Sequence, residues 1–467
     1  MKRRYPSRCS TCQVHVTTNS SPATARAAKI LLILAGVGVS LALYLHIAET
    51  QRGLNLHMGK SDQGAYMNFA KKAYASSFTF TGGRNRMPLF PWIQALFYSP
   101  DMSDEEFFEQ GKQLNVLISI ACLTALGAAF FAKFSKSYSV YAIAVIAFLC
   151  FAIKAPWFQA EILFYTIFAF AFMLSIESIR CPKWYKSVGL GLLFALAHFS
   201  KASVLPALAI YSCIFAVPLL FDLFSRRLSR QRMYKIAFHA IAPLFVFLVA
   251  LFPYFNESKD RYGHYLYNVN STFYIWYDSW EEAKSGTRAA GDREGWPDMP
   301  AEEIPSLTKY LNEHSTADIV RRFYRGAMRI HENACSGPDS PSQFGLCIHT
   351  GISVLVMFSC LFAKVSGDRG RLTKKDIQIG LFAASVFFAY SLLFAWYAAI
   401  ASGPRFILML LIPLFWTVGL SLRSAPSINL PGSAISAYSV VILVMLLVLV
   451  SQTYELVTVR AAMLFGG

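Results

Sequence analysis

The sequence predicts an all-α polytopic membrane protein, a class indicated by its composition, its apolar runs and its basic residues. Hydrophobic residues make up 55% of the 467 residues and charged residues only 15%, which is too apolar for a soluble protein of this length. The formal net charge of +16 comes mostly from Lys and Arg in the short segments between apolar runs. Such residues determine membrane topology, so we expect membrane lipids rather than nucleic acid as partners.

Several apolar runs are long enough, or nearly so, to cross a bilayer at about 20 residues per helix. Two of them, 138–153 and 187–200, are short enough to form tilted, broken or re-entrant helices instead. We therefore expect a bundle of about 11 transmembrane helices. The runs are 27–48, 114–132, 138–153, 158–178, 187–200, 202–224, 236–255, 349–364, 376–400, 406–422 and 434–458.

Basic residues cluster in the even-numbered turns between the apolar runs, that is, after the second, fourth, sixth and eighth runs. The positive-inside rule places these turns in the cytoplasm together with the N-terminus. The two long hydrophilic segments then face outward, and each is expected to carry interfacial helices. The predicted parts are a cytoplasmic tail, 1–26, an N-terminal transmembrane module, 27–255, with a first outward loop, 49–112, a second outward loop, 256–348, and a C-terminal transmembrane module, 349–467.

The cysteines fit this topology. Cys335 and Cys347 bracket a Gly/Pro/Ser turn in the second outward loop, where an oxidising compartment favours a disulfide. Cys9 and Cys12 form a single C-x-x-C without a second pair, which is weak support for a metal. No His/Cys/Asp cluster has metal-ligand spacing, so we expect no metal and no cofactor.

Ionisable residues lie at the outward ends of several spans, where a charge is costly and often functional. Asp62 follows the first span, Glu161 and Lys201 lie at later span ends, and Arg405 precedes an apolar run. Asp62 could instead cap the helix that begins beside it, and Lys201 and Arg405 could simply reach the membrane interface. Two acidic and two basic groups on one face suit a reaction that needs a base and an anion-binding pocket.

The second outward loop is rich in aromatic residues between Tyr262 and Trp280. They indicate either an interfacial aromatic belt or a platform for sugar rings, with Asp278, Asn268 and Asn270 serving the hydroxyls.

Further along the chain, Ser315-Thr-Ala-Asp318 predicts a capping box that opens a basic amphipathic helix. Arg321, Arg325 and Arg329 on this helix could contact anionic headgroups or a pyrophosphate, or form a solvated charged face.

The order of these features resembles the GT-C superfamily, the integral-membrane glycosyltransferases that use polyprenyl-phosphate sugars, such as the protein O-mannosyltransferases and the lipid A aminoarabinose transferases. The resemblance covers the plan of most of the chain. It rests on Asp62 early in the first outward loop, the Pro-rich segment Arg-Met-Pro-Leu-Phe-Pro-Trp from Arg86, Glu161 at the next outward turn, Lys201 in Lys-x-Ser-x-Leu-Pro, and Arg405 ahead of a Leu/Pro-rich span.

The resemblance implies a GT-C-like fold and inverting transfer of a monosaccharide from a polyprenyl-phosphate donor to a hydroxyl of a glycan, lipid or protein acceptor. It makes Asp62 the general base, with Glu161 as a second catalytic residue. It assigns the donor phosphate to Arg405, Lys201, Arg84 and Arg86. Sugar or acceptor binding is assigned to Tyr66, Trp276, Tyr277 and Asp278. We expect a bacterial inner-membrane enzyme whose active site faces the periplasm.

Two other functions remain open. An O-antigen-type polysaccharide polymerase or ligase concentrates arginines and a histidine in one late outward loop, which the helix of Arg321, Arg325 and Arg329 with His331 would match. A lipid-linked saccharide transporter would also have many spans, but it usually shows internal repeats and charges near the middle of the bilayer.

Overall fold

The computed structural model describes residues 22–82, 85–224, 229–335, 341–366, 372–401, 403, 405–424 and 437–465. Arg84, predicted to bind the donor phosphate, lies outside the described residues. Throughout the described ranges the secondary structure is helical, with no strand. The chain forms two compact units, Met1–His46 and Ile47–Gly467, and the residues of the cavities described below lie in the second.

The helices, in chain order, divide into long apolar helices and short helices in the loops between them. Helix α5 continues into α6 through a π-helical turn, Ala147–Phe151, and a 3-10 turn, Tyr274–Trp276, follows α11. The helices are α1 Pro22–Leu54, α2 Gln63–Ala75, α3 Leu89–Ala95, α4 Asp104–Lys133, α5 Lys136–Ile146, α6 Ala152–Lys154, α7 Glu161–Arg180, α8 Trp184–Ser200, α9 Leu205–Phe224, α10 Arg230–Tyr262, α11 Val269–Thr272, α12 Trp280–Ser285, α13 Leu307–Glu313, α14 Thr316–Cys335, α15 Pro341–Ser366, α16 Lys374–Tyr397, α17 Arg405–Ser424 and α18 Ala437–Phe465.

The protein is an all-α integral membrane protein. Nine helices of the described chain are long and apolar enough to span a bilayer: α1, α4, α5 with α6, α7, α10, α15, α16, α17 and α18. The other two predicted runs, 187–200 and 202–224, coincide with α8, which has 17 residues, and with α9, which has 20. Each of the eleven predicted apolar runs therefore corresponds to a helix, and among the described residues nine helices meet both the length and the hydropathy of a span.

Side-chain caps fix where several helices begin. Ser103 accepts a hydrogen bond from Glu106 N while the Glu106 carboxylate accepts from Ser103 N, which starts α4. The predicted capping box at the start of α14 is confirmed, because Asp318 N donates to Ser315 Oγ and the Asp318 carboxylate accepts from Ser315 N at 3.1 Å. Such caps satisfy N–H groups that have no partner inside the helix.

Aromatic packing fixes the turn that precedes α7. Phe158 is fully buried, and its ring lies edge-on to Phe90 and Phe107 at centroid distances of 5.6 and 5.4 Å. Gly111 on α4 makes room for this ring, because a Cβ at Gly111 would collide with it. The first outward loop is thus packed against the segment that leads to Glu161.

The second outward loop is held against the ends of the C-terminal spans. Phe323 on α14 packs against Trp396 near the end of α16, with ring centroids 5.1 Å apart. The structure joins Cys335, the last residue of α14, to Cys347 in α15, with Cα atoms 5.3 Å apart. This is the pairing that the sequence indicates.

Candidate active site

A cavity of about 620 Å³ lies where the two outward loops meet the ends of α7, α16 and α17. Its lining contains two carboxylates and five basic side chains. The carboxylates are Asp62 and Glu161, and the basic residues are Arg86, Lys201, Arg288, Arg293 and Arg405. The cavity therefore gathers both predicted catalytic residues and the three predicted phosphate-binding residues that lie in the described chain.

Asp62 lies between two guanidinium groups. Its Oδ1 is 2.6 Å from Arg86 Nη2 and its Oδ2 is 3.2 Å from Arg405 Nη1. Asp62 occupies the position before α2, but its side chain accepts no hydrogen bond from that helix. The capping alternative for this side chain is therefore wrong, since both carboxylate oxygens are directed at arginines that come from other parts of the chain.

The surroundings of Asp62 favour its ionised form. Burial alone would raise the pKa of the carboxyl, but the positive charges of Arg86, Arg405 and Lys201 outweigh this and hold the pKa below its ordinary value of 3.8. Asp62 is thus a carboxylate at neutral pH, in the protonation state that a proton acceptor requires.

Glu161 and Lys201 form a second ion pair in the cavity. Lys201 Nζ lies 3.3 Å from Glu161 Oε1. Glu161 is only 4% exposed, and its Oε2 has no hydrogen-bond partner among the described residues. A buried carboxylate oxygen without a partner is costly and uncommon, so Oε2 is available to accept a hydrogen bond from a bound molecule.

A buried pair of amides ties the loop of Asp62 to the segment before Glu161. Asn55 and Gln63 exchange two side-chain hydrogen bonds, of 2.8 and 2.9 Å. Asn55 Nδ2 also donates to Pro156 O, and Gln63 Oε1 also accepts from Phe158 N. These contacts position Asp62, the residue before Gln63, relative to Glu161.

Two further buried polar residues of α4 complete this scaffold. Lys112 is fully buried and donates to Asn55 O at 2.9 Å, and Asn115 donates to Ala155 O and Trp157 O at 2.9 and 2.7 Å. The sequence analysis missed these residues. The feature that could have revealed them is a Lys and an Asn at the start of an otherwise apolar span.

Arg405 is held at the first turn of α17. Tyr165 on α7 donates from its hydroxyl to Arg405 O at 2.5 Å. On the neighbouring span end, the Tyr397 hydroxyl donates to Asn270 Oδ1 at 3.1 Å, which brings the second outward loop to the cavity. Arg405 therefore reaches Asp62 from a backbone position fixed by a neighbouring span.

Tyr66 lines the cavity as predicted for a sugar- or acceptor-binding residue. It lies on α2 one turn beyond Asp62, and the Arg86 guanidinium carbon is 5.6 Å from its ring centroid. Burial, with the nearby carboxylates of Glu161 and Asp62, raises the pKa of its hydroxyl. Tyr66 is thus a neutral phenol.

Trp276, Tyr277 and Asp278, which are predicted to bind the sugar or acceptor, do not line the cavity. Other residues of the second outward loop do. The Tyr277 hydroxyl accepts from Thr287 N at 2.9 Å, and Trp276 packs near Trp396. The loop residues that do line the cavity are Asn268, Asn270, Ser271, Tyr274, Ile275, Trp280, Arg288 and Arg293.

Asp278 instead belongs to a polar cluster beneath α14. Its Oδ1 accepts from Arg322 Nη1 at 2.8 Å and from the Tyr310 hydroxyl at 2.9 Å, and its Oδ2 lies 2.7 Å from His314 Nε2. Arg322 is buried and also binds Ile275 O at 3.1 Å. The sequence does not single out Arg322, because it lies between two exposed arginines of α14, Arg321 and Arg325.

The arrangement suits the binding of an anion next to a proton acceptor. Basic side chains outnumber carboxylates in the cavity, and each carboxylate is held by at least one of them. Within the described residues no three His, Cys, Asp or Glu side chains are grouped so as to hold a metal ion. The five basic side chains and two carboxylates of the lining leave this cavity with an excess of positive charge.

No protein-family model matches the chain, and no curated protein matches it. Among solved structures, the chain is similar to ArnT from Cupriavidus metallidurans bound to undecaprenyl phosphate, with 12% sequence identity and a TM-score of 0.32, over 79% of this chain and 77% of that one.

Proposed function

We propose that this protein is a membrane glycosyltransferase that transfers a monosaccharide, with inversion, from a polyprenyl-phosphate donor to an acceptor hydroxyl. The observation that carries the proposal is the position of Asp62 between Arg86 and Arg405, in a cavity that also contains Glu161 with an unpartnered carboxylate oxygen. The cavity lies at the ends of transmembrane helices, where a lipid-linked donor would present its headgroup.

The charges of the cavity support binding of a phosphate. Arg405 and Arg86 supply guanidinium groups, which match phosphate oxygens through paired hydrogen bonds, and Lys201 adds a third positive charge. Among the aromatic residues of the lining, Trp280 would pack against the apolar side of a sugar ring, supported by the buried ring of Tyr274. We therefore place the donor phosphate near Arg405 and the sugar toward the second outward loop.

In the proposed reaction the acceptor oxygen bonds to the anomeric carbon while the bond from that carbon to the phosphate oxygen breaks. The acceptor's proton passes to the Asp62 carboxylate, and the bonding electrons leave with the phosphate, which becomes a dianion. Arg405, Arg86 and Lys201 would stabilise that added negative charge in a poorly hydrated site. Glu161 Oε2 would orient the acceptor by accepting a hydrogen bond.

Arg86 and Arg405 would bind Asp62 before the donor arrives and the donor phosphate afterwards. In the structure they neutralise Asp62. A bound donor phosphate competes for the same guanidinium groups, so binding weakens their hold on Asp62 and raises its affinity for a proton. Donor binding would in this way prepare the base for the acceptor.

We place the reaction on the extracytoplasmic side, in the periplasm if the membrane is a bacterial inner membrane. This placement rests on the basic residues of the even-numbered turns. The acceptor would be a glycan, a lipid or a protein that carries a hydroxyl group.

The polymerase or ligase alternative would put the chemistry at the arginines of α14. Those arginines line a different cavity, where Asp278 is already bound by Arg322, Tyr310 and His314. The cavity with the unpartnered Glu161 oxygen is the better site for proton transfer. We therefore assign the reaction to the cavity of Asp62.

The experiment that tests the proposal uses purified protein in liposomes with a panel of radiolabelled polyprenyl-phosphate sugars. We expect label to move to an added acceptor extract, with release of polyprenyl phosphate. A parallel panel of polyprenyl-pyrophosphate saccharides tests the alternative. Transfer from pyrophosphate donors alone would replace the proposal, and movement of intact donor between leaflets without transfer would identify a transporter.

A further inference from the structure

Helix α14 lies across the end of a transmembrane helix. Gly326 sits against the backbone of Ala395, where any side chain would collide with the carbonyl group. One turn later, Arg329 Nη1 donates to Ala398 O at 3.0 Å. Because the span α16 ends at Tyr397, these contacts hold α14 at the level where that helix leaves the bilayer.

The outer face of α14 is both apolar and basic. Val320, Tyr324 and Met328 are 61, 66 and 42% exposed, and their four-residue spacing places them in one row along the helix. Arg321 and Arg325, each one position further, form an exposed basic row beside it. An exposed apolar row flanked by arginines is typical of helices that lie in the headgroup region of a membrane.

Beside these rows lies a cavity of about 560 Å³ whose lining contains four arginines and a histidine together with three carboxylates, Asp278, Asp318 and Glu332. Arg321 pairs with Asp318 at 3.2 Å. In the described part of the chain, Arg325 and Arg329 have no carboxylate within ion-pair distance. The basic residues of the lining are Arg321, Arg322, Arg325, Arg329 and His314.

We propose that this cavity binds the headgroup of an anionic phospholipid, with the phosphate at Arg325 and Arg329 and the acyl chains along Val320, Tyr324 and Met328. Two guanidinium groups without carboxylate partners suit one phosphate group. The exposed apolar row beside them favours a phosphate that carries hydrocarbon over a free phosphate ion, because such a row gains little from contact with water.

The lipid site is separate from the candidate active site but adjoins it. Ala398 and Ala399 line the lipid site, whereas Ile400 and Ala401 line the cavity of Asp62. A phospholipid bound beside α14 would therefore contact the same turn that leads to α17. The proposal does not depend on the reaction assigned to the neighbouring cavity.

The test measures lipid binding to the full-length protein in detergent by native mass spectrometry, with dioleoylphosphatidylglycerol, dioleoylphosphatidylcholine or inorganic phosphate as the probe. A basic side chain near an anionic lipid surface contributes about fivefold to binding, so Arg325→Gln should weaken phosphatidylglycerol binding about fivefold and Arg325→Gln with Arg329→Gln about 30-fold. The single variant keeps the test valid if the double variant is unstable, because Arg329 also bonds to the backbone.

A charge-matched control replaces two exposed lysines outside the cavity, Lys284→Gln with Lys374→Gln, and should bind phosphatidylglycerol like the wild type. Arg405→Ala should also leave this binding unchanged. Three results would overturn the proposal: wild-type binding by Arg325→Gln and by the double variant, equal binding of phosphatidylcholine, or displacement of phosphatidylglycerol by equimolar inorganic phosphate.

Discussion

Replacing Asp62 by Asn tests the candidate site most directly, because Asn keeps the size of the side chain and removes only its negative charge. Asp62 makes two contacts, of 2.6 Å with Arg86 and 3.2 Å with Arg405. The Asn amide can accept from one guanidinium, but its NH₂ group turns a donor toward the other, so one charge-assisted hydrogen bond of about 1.5–3 kcal/mol is lost. Helix α2 keeps its start, since no helix N–H donates to this side chain.

We expect Asp62→Asn to fold and to lower kcat by about 10²–10⁴-fold, the usual contribution of a general base. The KM for the donor should stay the same or fall, because Arg86 and Arg405 become free for the phosphate. The measurement is the initial rate of radiolabelled sugar transfer over a range of donor concentrations, together with thermal unfolding.

Asp104→Asn is the matched control for this variant. Asp104 is 60% exposed and pairs with Lys71 outside the cavity, so its loss should leave kcat and KM unchanged. A wild-type kcat in Asp62→Asn, or a defect confined to KM, would refute the assignment of Asp62 as the base and leave it as a structural partner of the two arginines.

The other predictions concern pH, the phosphate clamp and topology. Because nearby cations lower the pKa of Asp62 below 3.8 in the unliganded protein, kcat/KM should stay level from neutral pH down to about pH 5. Removing one cation in Arg86→Gln should raise that pKa and shift the acidic limb of the pH–rate profile to higher pH; a limb that does not move would argue against Asp62. Arg405→Lys keeps the charge but not the paired donors, so donor turnover should fall, and Arg405→Ala should fall further; equal kcat/KM for wild type and Arg405→Lys would remove Arg405 from the phosphate site. In a cysteine-free background, Ser285→Cys should react with an impermeant maleimide in intact cells and Ser229→Cys should not; the reverse pattern would place the cavity on the cytoplasmic side.

The sequence was sufficient for the parts of the fold that depend on local hydrophobicity. Each apolar run became a helix, because a segment that enters the bilayer must satisfy its backbone hydrogen bonds internally. The same logic selected Asp62, Glu161, Lys201 and Arg405, whose charges stand out at span ends. These four residues line one cavity.

The second outward loop shows what the sequence leaves undecided. Its aromatic residues look alike in the sequence, and the resemblance assigns sugar or acceptor binding to Trp276, Tyr277 and Asp278. The structure turns them away from the cavity and brings Tyr274 and Trp280 to it instead. Short helices and turns without a period decide which way each ring points, so no spacing rule separates the two groups.

The sequence by itself therefore determined the membrane class, the helices and the candidate charged residues at the ends of apolar spans. Only the tertiary structure decided which charges pair. Asp62 meets Arg405 across 343 positions of sequence, and Arg322 is buried between exposed neighbours because Asp278 and the backbone of another segment lie beneath it. The physical reason is that the hydrophobicity of a segment depends only on residues that are neighbours in the sequence. An ion pair depends instead on the distance between two side chains, which the whole fold determines.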